Sequence, residues 1–249
     1  MLTHLGRHKT WESAVANAIE QDVSHIVVSC MTPSQFSPRQ KQEALEIHHA
    51  AGIHPSCAHA EKLEIELNTL RDILERNPKV LVGEIGLDGR EGQTLKETQE
   101  QAFIEQLKIA NAFKRPTIVH CVKRSARVLE LLAAHAPKTK TNARGYIHGY
   151  TGSPEMAREY IKQGFYISFG CALLNPKSKR ARASVKALPL ERLLVESDAP
   201  SMPLPGQNQG EPKNVVSVLK EIAHLKGLPE KEVQQIIGHN AQQLLSKPL

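Results

Sequence analysis

The chain has 249 residues, 40% of them hydrophobic and 23% charged, a composition that suits a globular protein and excludes a disordered one. No apolar run approaches the ~20 residues that span a bilayer, and with aromatic residues at 4% an extended base-stacking sheet is excluded as well. The net charge of +6 favours anionic partners, nucleic acid among them.

Four cysteines, Cys30, Cys57, Cys121 and Cys171, stand apart without CxxC spacing, the usage of free thiols in a reducing compartment. The N-terminus has no apolar stretch of the signal-peptide kind. A cytoplasmic protein is therefore expected.

In chain order, residues 1–10 hold His4 and His8 but few apolar residues, enough for at most a short strand. Trp11, Ala14, Val15, Ala18 and Ile19 share one face of a helix over 11–21. A strand follows at 25–30, a helix at 38–47 and a short strand at 49–54. Further helices are expected at 63–76, 95–113, 125–135, 155–163, 177–188, 214–226 and 229–245. Between them lie strands at 79–87, 116–120, 144–147, 165–170 and 193–198, with a Pro/Gly-rich loop at 201–212.

Strands alternate with helices, and no linker or composition break interrupts them. Such alternation means parallel strands joined by helices. At this length the expected fold is a single α/β domain over 1–249, a TIM-like (β/α) barrel with a short or missing first strand.

The last strand carries the clearest chemical signal. Leu193, Leu194 and Val195 form an apolar run of the kind buried on both faces in a parallel sheet, and it leads into Glu196 and Asp198. Upstream strands end likewise in Glu84, His120 and His148. Parallel strands in a barrel point their C-termini at one face, so Glu84, His120, His148 and Asp198 converge. Imidazole and carboxylate are ligands for a divalent ion such as Mg, Mn or Zn. An Asp beside a water activated in this way can take its proton.

Longer motifs accompany these residues: Gly52-Ile53-His54-Pro55, Gly83-Glu84-Ile85-Gly86-Leu87-Asp88, and Gln99-x-x-x-Phe103-x-x-Gln106. Val119-His120, Ile147-His148-Gly149-Tyr150 and Glu196-Ser197-Asp198-Ala199-Pro200 follow in order. Together they resemble the TatD-like metal-dependent deoxyribonucleases of the amidohydrolase superfamily. The resemblance implies hydrolysis of phosphodiester bonds in DNA, using one or two divalent ions.

It implies Glu84, His120, His148 and Asp198 as metal ligands, with His4 laid on the second histidine of the family's N-terminal His-x-His. Leu2 then stands where the first histidine belongs. Asp198 and Glu84 would be the catalytic carboxylates, Asp198 accepting the proton, and Glu196 would support the site from behind. His54 would meet substrate. Lys123 or Arg124 would stand in for a phosphate-holding arginine that the family places just after His120. A monomer is expected. Two other readings use the same residues: a ligand-depleted barrel that binds or scaffolds, or a hydrolase of another ester or amide.

Overall fold

The structure, a computed structural model, describes residues 11–39, 44–137 and 143–245. Seven parallel strands pair in sequence order: β1 (His25–Ser29), β2 (Glu46–Ala51), β3 (Leu81–Asp88), β4 (Thr117–Val122), β5 (Gly145–Ile147), β6 (Phe165–Phe169) and β7 (Leu193–Val195). α1 (Trp11–Ile19) precedes β1; α2 (Ala60–Arg76), α3 (Lys96–Ala112), α4 (Ser125–His135), α5 (Pro154–Lys162) and α6 (Lys179–Ala187) connect the strands from β2 to β7; and α7 (Val215–Lys226) and α8 (Glu230–Leu245) follow β7. This is the expected TIM-like class, built as a curled half-barrel.

The curl can be read from the packing. Ala50, Leu81, Ile118, Tyr146, Tyr166 and Leu194 come from six different strands, yet they form one buried cluster against which Val27 of β1 also packs. One face of a flat sheet could not bring its two ends together in this way. A cavity of about 120 Å³ has both Val27 of β1 and Leu194 of β7 in its lining, so the outermost two of the described strands lie close together. The opposite faces of the strands pack on the helices through a larger core that includes Val82, Ile85, Leu107, Val119, Phe165 and Ile222.

One expected element is corrected. Of the helix placed at 38–47, Pro38, Arg39, Ala44 and Leu45 are not helical, Glu46 and Ile47 begin β2, and residues 40–43 lie outside the described residues. Pairing with β1 over five positions outweighs the helical propensity of those residues. The possible extra strand near the N-terminus lies outside the described residues. β7 is also shorter than the expected 193–198, ending at Val195.

Two glycines let the chemistry-bearing strands approach one another. Gly86 has φ +144°, and a Cβ there would lie 2.0 Å from the backbone oxygen of His120. Gly145, with φ +147°, would meet the Thr117 oxygen at the same distance. Only glycine adopts this conformation without strain. In addition, Asn240 of α8 donates two 2.9 Å hydrogen bonds, to the carbonyls of Leu190 and Leu193, and so ties the last helix to the root of β7.

Gly86→Ala is expected to cost at least ~3 kcal/mol through strain plus overpacking, measured as a fall in the urea midpoint. Asn240→Ala should cost roughly 1–3 kcal/mol, because two buried carbonyls lose their donor, and thermal melts will show it as a lower Tm.

Candidate metal centre

β3 supplies the first carboxylate by breaking its own period. Leu81 faces the barrel interior and Val82 the helices, so strict alternation would turn Glu84 outward with Val82. The register against β4 slips between Val82 and Ile85. That bulge returns Ile85 and Leu87 to the helix side and leaves Glu84, Gly86 and Asp88 facing in.

Glu84 is 4% exposed and reaches two imidazoles: its Oε2 lies 3.8 Å from Nδ1 of His120 and 3.7 Å from Nε2 of His148. The His54 ring stands edge-on to His120 with centroids 4.6 Å apart. His54, Glu84 and His120 each offer a donor atom, all within 4.8 Å of one another, a spacing one metal ion can bridge.

His148 is gripped on both nitrogens. Its Nδ1 lies 2.9 Å from Oε1 of Glu196, and its Nε2 lies 3.7 Å from Oδ1 of Asp198. Glu196 also accepts from the Gly149 backbone N–H at 2.7 Å and from the Ser168 hydroxyl at 2.6 Å. Asp198 lies beyond the end of β7 and has φ +50°, a left-handed conformation that costs a non-glycine residue of order 1 kcal/mol. Strained residues of this kind cluster at active sites and ligand clamps.

The electrostatics follow from crowding. Burial disfavours the charge on His148, but Glu196 and Glu84 outweigh it and hold its pKa up to about 10. Burial likewise opposes ionisation of Glu84, and His148 and His120 overcome it, bringing the carboxyl down to about 2. Asp198 goes the other way: burial raises it to about 6, with Glu196 and Glu84 adding to the shift and His148 opposing it. Burial, helped by His120, pushes His54 down to about 4. Several buried carboxylates and imidazoles around one point form a donor set that fits a divalent cation.

Asp88 is a member that the sequence reading passed over. Its side chain is fully buried, and its Oδ2 lies 3.1 Å from His120 Nε2 and 2.5 Å from Arg90 Nη2. Burial opposes its charge, but Arg90 and His120 outweigh burial and lower its pKa to about 2. A carboxylate bonded to the far nitrogen of a ligand histidine fixes the ring and its tautomer. The clue lay in the spacing, since Glu84 and Asp88 are four apart on one strand and so share a face.

The two motif glutamines hold the backbone around these residues. Gln106 bonds both the N–H and the carbonyl of Ile53, next to His54, and Gln99 does the same for Asp88.

Of the other residues singled out in the sequence, His4 lies outside the described residues. Lys123 is exposed, with φ +55°. Arg124 is turned to Glu100, its Nη2 2.8 Å from the carboxylate.

Inward-facing histidines and carboxylates at the C-terminal ends of parallel barrel strands define a metal-dependent hydrolase. The chain belongs to the TatD related DNase family, whose model matches residues 2–246.

It is 30% identical to an uncharacterized metal-dependent hydrolase, YjjV, of Escherichia coli K12, over 95% of this chain and 92% of that one. A 3'-5' ssDNA/RNA exonuclease, TatD, of Pantoea ananatis is 27% identical over 94% of this chain and 92% of its own length. The crystal structure of the E. coli YjjV protein superposes with a TM-score of 0.85 at 29% identity, covering 95% of this chain and 92% of that one. Among the described residues no helix is long and apolar enough to cross a membrane.

Glu196→Gln removes the charge that orients His148. Affinity for Mn²⁺, measured by calorimetry on metal-stripped protein, should fall about 10–100-fold while far-UV circular dichroism stays unchanged.

Proposed function

We propose that this protein is a nuclease that hydrolyses phosphodiester bonds in DNA as a single-domain, monomeric cytoplasmic enzyme. The observation that carries the reading is the convergence of Glu84, His120, His148 and Asp198, with the His54 ring against His120 beside them. The name of the Pantoea relative supports nucleic acid as the substrate class.

Glu84, His120, His148 and Asp198, with His4 as a further candidate, would hold one or two ions of Mg, Mn or Zn. Bound there, a divalent ion polarises the phosphoryl oxygen and makes water more acidic. The chain's own groups do the rest. Asp198 accepts the proton of the attacking water, its carboxylate held towards the cluster by the left-handed backbone. Glu84 sits between the two imidazoles and fixes their separation. Glu196 and Asp88 orient His148 and His120 from behind.

Substrate is held by charge and by a ring edge. His54 flanks His120 and, being largely neutral near pH 7, offers a hydrogen bond rather than a charge. Exposed Lys123 gives a phosphate a point charge. Arg124 adds a second positive charge while anchored by Glu100.

The test is cleavage of end-labelled single- and double-stranded DNA by metal-stripped protein, with Mg, Mn, Co and Zn returned in turn. Metal-dependent cleavage that drops about 10²–10⁴-fold in Asp198→Asn is expected. Folded protein that cleaves neither substrate with any of the four ions would overturn the reading.

A further inference from the structure

A second group of metal-ligating side chains sits at the other end of the strands. His25 opens β1 and Glu46 opens β2, opposite one another in register, and His48 follows Glu46 by two residues. Residues two apart on a strand share a face. On those same faces Ala50 belongs to the interior cluster and Val27 packs against it, so all three side chains lie on the inward side at the N-terminal end of the barrel.

We propose that His25, Glu46 and His48 form a binding site for a zinc-type divalent ion, separate from the cluster at the strand C-termini. His25 Nδ1 and His48 Nε2 are 3.2 Å apart. Glu46 places one carboxylate oxygen 3.6 Å from His25 Nδ1 and the other 3.7 Å from His48 Nε2. A tetrahedral ion with ligand bonds of 2.0–2.1 Å keeps neighbouring donors roughly 3.3–3.5 Å apart. The three distances, two of them measured from different carboxylate oxygens, lie close to that spacing, and one donor atom from each residue lies within 4.8 Å of the other two.

The rings are 26° from parallel with centroids 5.5 Å apart, so the two nitrogens face each other nearly head-on and one N–H bridges them. An ion takes the place of that single proton, and a modest rotation of each ring turns both lone pairs towards it.

The chemistry of the donors selects the metal class. Two imidazoles and one carboxylate suit zinc and its first-row neighbours, whereas magnesium and calcium prefer oxygen throughout. Three protein donors leave the fourth tetrahedral position to water. Access comes from the Glu46 side, since that side chain is 53% exposed against 9% for His48.

The location argues for a structural role. Among the described residues β1 is an edge strand whose one neighbour is β2, and an ion across their first residues clamps that edge. The N-terminal face is also where a barrel places stability rather than catalysis.

Metal-stripped full-length protein is titrated with Zn²⁺, and bound ions are counted by equilibrium dialysis for wild type, His48→Ala and Glu46→Gln. His48→Ala should bind one ion fewer per chain. Glu46→Gln should bind that ion at least about tenfold more weakly, because a neutral amide replaces an ionised ligand. Saturating Zn²⁺ should raise the wild-type Tm by roughly 5 °C more than that of either variant.

Equal ion counts and equal Tm shifts in all three proteins would overturn the site. If His48→Ala does not fold, Glu46→Gln decides alone, since its half-exposed position tolerates the change. DNA cleavage does not enter the readout, so this result is independent of the proposed nuclease activity.

Discussion

Three carboxylates, Glu84, Glu196 and Asp198, press on the single imidazole of His148, and the balance of those charges governs the whole upper end of the barrel. Removing an ion from water costs several kcal/mol unless a partner repays it. Glu196 is repaid by His148, Ser168 and the Gly149 amide. Glu84 is repaid by His148 and His120. Asp198 has the weakest compensation, and its carboxyl is the one whose pKa rises. Three buried carboxylates against the one imidazolium of His148 leave a surplus of negative charge that a bound cation would offset.

Meeting that demand requires the strand ends to be held in fixed positions, and the backbone does this with few devices. Glycines at 86 and 145 let β3 and β5 close on β4 where any Cβ would collide with a carbonyl. Gln99 and Gln106 of α3 reach across to the main chain beside Asp88 and His54. The helix thereby sets the positions of two segments that approach His120 from different sides. Close packing transmits such constraints with little slack.

Division of labour between the two ends of the strands follows from the same geometry. Parallel strands bring all their C-termini to one face, where loops and irregular backbone can present polar groups to a substrate. Their N-termini meet at the other face, where His25, Glu46 and His48 come together from adjacent strands. The interior between is filled by Tyr146, Tyr166, Leu194 and their neighbours, so the two ends share a core but no side chains.

Local signals sufficed for much of this. Alternating apolar runs and amphipathic stretches located seven strands and most helices, because side-chain periodicity depends on the chain alone. Apolar runs ending in Glu84, His120 and His148 marked ligand candidates for the same reason.

Tertiary structure decided the rest. Strand pairing overrode helical propensity at Glu46 and Ile47. A bulge in β3, invisible in the sequence, turned Glu84 inward against its strict period. Asp198 took its place from a left-handed residue beyond the strand. The partnership of Asp88 with His120, and that of His25 with His48, depend on register between strands, which is fixed only when the sheet assembles.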